Sequence, residues 1–155
     1  MKITLLLVGK TTDSKLDALI AEYANRLKHY LAFETRVIPE LSSKGRISTD
    51  VQKKQEGELI LKAVGTTYVI LLDEHGREYR SLDFATYLQK LMSSGRDVTF
   101  VVGGPYGFSK EVYDRADSLL SLSQMTFSHQ MIRLLFTEQL YRACTIIHHE
   151  PYHHE

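Results

Sequence analysis

Three short runs in this chain are almost wholly apolar: residues 3–8, 68–72 and 98–102. A strand with one wet face alternates apolar and polar residues, whereas a strand covered on both faces does not. These runs therefore belong inside a sheet sandwiched between helices. Helical-period segments separate them. Residues 15–30 put Leu16, Leu19, Ile20, Tyr23 and Leu27 on one face, with Asp13 and Ser14 as capping groups. Further helices are expected over 50–64, over 81–92 with Ser81 as cap, from Ser109 to about 116, and over 129–147. Residues 33–38, closed by Pro39, and 119–122 supply two more strands. Residues 41–49, polar and containing Gly45, form a loop, as do residues 123–128. Five strands alternating with five helices imply an α/β fold with a mainly parallel sheet, and residues 1–155 suit a single domain.

Composition narrows the function classes. Lysine plus arginine equals aspartate plus glutamate at 19 each, which excludes a polybasic nucleic-acid coat but not a local patch. Between Arg26 and Lys62 such a patch exists, with eight basic residues against five carboxylates. The single cysteine, Cys144, excludes an intramolecular disulfide and fits a reducing, cytoplasmic setting. It sits among apolar residues of the last helix and reads as core. No apolar run reaches the ~20 residues of a membrane span, and the first nine residues read as a strand and not as a signal peptide.

In parallel sheets of this kind ligands bind beyond the carboxyl ends of the strands. Leu72 with Asp73, Gly103 with Gly104, and Leu122 with Ser123 are then three walls of one crevice. Motifs that would name its ligand directly fail. Gly9-Lys10-Thr11 ends like a phosphate-binding loop, but the first glycine of that motif falls on Thr4, inside a strand. Gly103-Gly104-Pro105-Tyr106-Gly107 lacks dinucleotide spacing, and Pro105 removes a backbone donor. The turn is either simply tight or kept small for a flat ligand. His149-Glu150-Pro151-Tyr152-His153 spells a zinc motif, but Pro151 breaks the helix that motif needs, so no metal is expected.

The last helix is apolar on nearly its whole circumference, through Met131, Ile132, Leu134, Leu135, Phe136, Leu140, Tyr141, Ala143 and Ile146. Such a helix is buried on more than one side. In a small domain the second side points to another subunit. Arg133 and Arg142 interrupt it nine residues apart, on opposite sides, and the plain expectation for each is a salt bridge, such as Glu138 with Arg142.

An ordered set of residues spans the chain: the opening strand ending Val8-Gly9-Lys10; Glu22-Tyr23 and Arg26-Leu27; Leu72-Asp73 with Gly76; Gly103-Gly104 with Gly107; Leu119 to Ser123 followed by Met125-Thr126-Phe127; His129-Gln130-Met131; Glu138-Gln139-Leu140-Tyr141-Arg142-Ala143; and Pro151-Tyr152-His153. Over this set the sequence resembles the bacterial large-subunit ribosomal RNA pseudouridine N3-methyltransferases of the SPOUT superfamily. The resemblance implies a C-terminal trefoil knot, which strand alternation alone would not suggest. It also implies a homodimer, S-adenosyl-L-methionine as methyl donor, and ribosomal RNA or the ribosome as partner. By the same resemblance Leu72, Gly103, Leu122, Ser123, Gln124, Met125, Thr126 and Phe127 contact the donor. One departure is Ser128, where the family commonly has proline before the histidine; its hydroxyl can cap the last helix.

Methyl transfer to an imide nitrogen needs donor and nucleophile in line and removal of one proton. His153 is the candidate base, Arg142 can hold an imide anion or a phosphate, and Tyr152 accompanies them. The zero net charge fits a substrate presented on an assembled ribosome. Two rival readings stand beside this one: a non-catalytic RNA-binding or ribosome-assembly module of the same fold, and a nucleotide-binding α/β protein of another class.

Overall fold

The computed structural model describes residues 1–41 and 48–154. Most of the expected 41–49 loop lies outside the described residues. The element order is β1 (Lys2–Val8), α1 (Ser14–Leu27), β2 (Ala32–Ile38), α2 (Thr49–Val64), β3 (Tyr68–Glu78), α3 (Ser81–Ser94), β4 (Val98–Val102), α4 (Lys110–Arg115), β5 (Ser118–Ser121) and α5 (Met131–Ile147). The five strands form one sheet in the order β2-β1-β4-β3-β5, with every pair parallel.

The apolar runs behave as a doubly covered sheet requires. Side chains alternate across a strand. Leu5 and Leu7 of β1, Ile70 of β3 and Phe100 of β4 therefore pack on one face with Leu88 of α3 and Phe136 and Leu140 of α5. Leu6, Val8, Leu71 and Val101 pack on the other with Ile60 of α2 and Val112 of α4. The one polar residue in β4, Thr99, is buried, and its hydroxyl meets that of Thr67 at 2.8 Å.

Caps follow the sequence signals in part. Asp13 accepts from the backbone N–H of Lys15 and Leu16, and Ser109 accepts from that of Val112. Ser81 does not cap α3: it is the first helical residue, and the cap position falls on Arg80, whose side chain makes no capping bond. The last helix starts at Met131 and not at His129, yet Ser128 Oγ accepts from the Met131 N–H at 3.0 Å. It ends at Ile147, and His149 follows with a positive φ of 56°.

Strand β3 is the main correction. The apolar run predicts a stop at Leu72, and the strand instead reaches Glu78. Its partner explains this. Leu120 of β5 is in register with Leu72 and again with Arg77, so residues 73–76 leave the ladder and the strand resumes. The excursion passes so close to β5 that a Cβ on Gly76 would lie 2.6 Å from the Leu119 carbonyl carbon. Only glycine fits there.

Candidate functional site

The carboxyl ends of β3, β4 and β5 open onto a cleft of about 590 Å³. Its apolar floor comes from Leu72, Leu120, Leu122 and Ile132. One wall is the 103–108 turn and another the segment from Met125 to His129. Of the eight residues expected to contact a donor, seven line this cleft. Gln124 does not; it is exposed.

The loop after β5 is held by short-range bonds. Ser121 Oγ donates to the Ser123 carbonyl at 2.8 Å, and Ser123 Oγ accepts from the Met125 N–H at 3.0 Å. Thr126 donates its hydroxyl hydrogen to Glu74, tying the loop to the excursion of β3. Met125, 77% exposed, and Phe127, 38% exposed, present apolar surface at the mouth. The Gly103 turn is tight: a Cβ on Gly103 would lie 3.0 Å from the Phe108 ring, and one on Gly104 would lie 2.8 Å from Glu56 Oε1. A side chain at Gly103 would require the Phe108 ring to give by a few tenths of an ångström, and one at Gly104 would require the Glu56 carboxylate to move.

Asp73, which the sequence places in a wall of the crevice, is a firmly anchored polar group of the cleft. Its carboxylate accepts from the Tyr113 hydroxyl, from the His75 N–H at 2.8 Å and from His75 Nδ1 at 2.9 Å. Burial alone would raise its pKa, but these hydrogen bonds outweigh burial and hold it below the ordinary carboxylate value. Tyr113 is shifted upward, first by burial and then by Asp73. Glu74 is the second carboxylate of the lining, and the described lining contains no lysine or arginine. A cleft of this charge suits a cationic ligand and opposes a polyphosphate, which needs opposed cations or clustered N–H donors.

The three residues expected to act on the nucleobase come together, but not in this cleft. Arg142 pairs with Glu138 at 2.6 Å, Tyr152 donates to the same carboxylate at 2.9 Å, and Arg142 Nη1 lies 3.2 Å from His153 Nδ1. The Arg142 guanidinium also lies over the Tyr152 ring, 4.7 Å from its centre. The expected Glu138–Arg142 pair is therefore present. The tail is not frayed: Tyr152 packs edge-on against Tyr141, and Glu150 accepts from Tyr30 at 2.6 Å. None of the three lines the cleft. Ile132 does, and ten residues of helix separate it from Arg142, about 15 Å at 1.5 Å per residue. Among the described residues no group of three or more His, Cys, Asp or Glu could hold a metal ion. No helix among them is long and apolar enough to cross a membrane.

Arg133 contradicts its expected salt bridge. It is fully buried, and its guanidinium donates to the carbonyls of Val8 at 2.8 Å, Gly9 at 2.9 Å and His129 at 2.9 Å, and to Thr11 Oγ1 at 3.1 Å. Burying a cation costs several kcal/mol even after relaxation. The signal for an unusual role was a lone cation in the stretch Met131 to Phe136; its partners are mostly main-chain oxygens, which no side-chain pattern reveals. Cys144 is buried as expected, and burial raises its thiol to about 12.

Residues 1–153 match the protein family described as "Predicted SPOUT methyltransferase". The chain is 54% identical over 99% of both chains to the ribosomal RNA large subunit methyltransferase H of Christiangramia forsetii. It is 51% identical to the protein of that name in Phocaeicola vulgatus and 54% identical to that in Parabacteroides distasonis, over the full length of each chain.

Proposed function

The chain belongs to the SPOUT methyltransferase family, and from that premise we propose that it transfers a methyl group from S-adenosyl-L-methionine to N3 of a pseudouridine in large-subunit ribosomal RNA. The observation that carries the reading is the cleft at the ends of β3, β4 and β5, with two carboxylates and no lysine or arginine in its described lining. A sulfonium donor is favoured by that charge, and an adenosine ring by the apolar floor and the close turn. The nucleotide-binding alternative finds no cationic support in the same lining.

When bound, the donor supplies an electrophilic methyl group. Leu72, Gly103, Leu122, Ser123, Met125, Thr126 and Phe127 hold it, with Gln124 at the outer edge of the loop. Asp73 and Glu74 keep the local potential negative. Fixing donor and nucleobase in line lowers the barrier by as much as ~7–11 kcal/mol in favourable cases. Arg142 faces the imide anion, His153 offers a ring nitrogen for its proton, and Tyr152 packs beside them. Because a chain's own tail lies far along α5 from its own cleft, the tail serves the cleft of a second subunit in a homodimer. The half-buried apolar residues Leu134 and Leu135 support such pairing. The family's trefoil knot is part of the proposal, with the segment after β5 as the threaded one. The near-neutral chain recognises its target on an assembled ribosome, in the cytoplasm.

The test is methyl transfer from labelled S-adenosyl-L-methionine to ribosomes lacking the modification, compared with ribosomes carrying uridine at the target. Transfer confined to the pseudouridine substrate is expected. RNA binding without any transfer would favour the non-catalytic module instead.

A further inference from the structure

Arg133 is a buried cation that no step of the proposed reaction uses. Burial works against its charge, and Glu40 offsets this only through space. An apolar side chain of similar volume would remove the buried charge but leave the Val8, Gly9 and His129 carbonyls without this donor. What a guanidinium adds is geometry, because its planar fork fixes several acceptors at once.

Those acceptors belong to two segments far apart in the chain. Val8, Gly9 and Thr11 lie where β1 gives way to α1, and His129 lies on the approach to α5. Gln130 closes the same seam from the other side. Its Nε2 donates to the Lys10 carbonyl at 3.1 Å, and its Oε1 accepts from the Thr12 N–H at 2.9 Å. Only one of the two segments lines the donor cleft: Ser128, His129 and Ile132 do, whereas residues 8–12 do not. The seam thus anchors a wall of the cleft to β1, a central strand whose apolar residues are all buried. Loop residues 124–128, just before this wall, are exposed.

We propose that Arg133, aided by Gln130, is a positioning residue that fixes the 128–132 wall of the cleft against the end of β1 and so sets the affinity for the methyl donor. The proposal rests on the donor-binding reading of the cleft. A displacement of an ångström can cost as much as ~100-fold in rate even when the change is remote from the chemistry, and a displaced wall also gives up its contacts with the donor.

S-adenosyl-L-methionine is titrated calorimetrically into the full-length wild type and into Arg133→Met, Arg133→Lys and Gln130→Ala. Thermal midpoints are recorded for each. Arg133→Met should stay folded and lose donor affinity by about tenfold or more, the equivalent of one lost contact in the wall. Arg133→Lys keeps the charge but not the fork, so it should restore stability better than affinity. Gln130→Ala, at a half-buried position, should weaken the donor by a few-fold with the fold intact. In steady state KM for the donor should rise in all three while KM for the ribosome does not. Wild-type donor affinity in folded Arg133→Met, or in Gln130→Ala if neither Arg133 variant folds, overturns the proposal. A wild type that binds no donor overturns the donor reading as well, and the two failures are therefore distinct.

Discussion

Arg142 Nη1 donates to His153 Nδ1 across 3.2 Å. A guanidinium can only donate, so Nδ1 is the acceptor and in the neutral ring the hydrogen lies on Nε2; Nδ1 is therefore the atom that takes the imide proton, once it has exchanged Arg142 for the nucleobase. The arrangement joins the chain terminus to the helix that runs back toward the cleft.

The first prediction concerns this tail. His153→Ala should leave donor affinity unchanged and lower methyl transfer to ribosomes by about 10²–10⁴-fold if the ring removes the imide proton. Removing residues 152–155 should do the same to transfer. It should also cost stability, because Tyr152 gives up its bond to Glu138 and its contact with Tyr141, together about 1–2 kcal/mol. Calorimetry and a filter-bound transfer assay separate the effects. A parallel fall in donor binding would put the tail in the donor pocket.

The second prediction separates two kinds of apolar residue on α5. Leu140 is fully buried within its own chain, whereas Leu134 and Leu135 are only partly buried. Leu134→Glu or Leu135→Glu should yield a folded monomer by light scattering. Leu140→Glu should fail to fold, since truncation at such a position alone costs about 2–5 kcal/mol. An intact dimer in both surface variants would move the interface off this helix.

The sheet was readable because burial on both faces leaves no alternation, and the cleft because strand ends converge in any such sheet. Three features were not readable. Residues 73–78 are polar and look like a loop; they return to strand only because β5 pairs with Arg77 and Glu78, a long-range contact. The tail residues carry a recognisable pattern, but their distance from the cleft depends on the length and direction of α5. Arg133 stood out as a cation in an apolar helix, yet carbonyl acceptors leave no trace in side-chain identity.

The third prediction follows from the close passage at Gly76. A methyl group there meets the backbone of Leu119 and Leu120 at 2.6 to 2.8 Å, and β5 cannot retreat without disturbing its pairing with Leu72 and Arg77 on either side. Gly76→Ala should lose about 3 kcal/mol in urea denaturation, the upper range for overpacking. It should also loosen donor binding, because Asp73 and Glu74 belong to the displaced segment. A wild-type midpoint would mean that the excursion relaxes freely.

The fourth prediction uses the anchored carboxylate. Asp73 is held below its ordinary value because hydrogen bonds from Tyr113 and His75 outweigh the effect of burial. A depressed carboxylate stabilises the fold above the unfolded value of about 3.9, and the contribution disappears as pH falls through the native value. Tyr113→Phe deletes one of the bonds and lets the Asp73 value rise. Tyr113 is 39% exposed, so solvent screening limits the loss at pH 7 to about 1 kcal/mol. Denaturation midpoints of wild type and variant should therefore differ at pH 7 and converge as the pH is lowered below the carboxylate range. Glu74 and His75 flank the site in both proteins and cancel in the difference. A gap that persists unchanged at pH 3 would assign the loss to ring packing against Phe108, which Tyr113 meets edge-on at 5.7 Å, and not to the charged hydrogen bond.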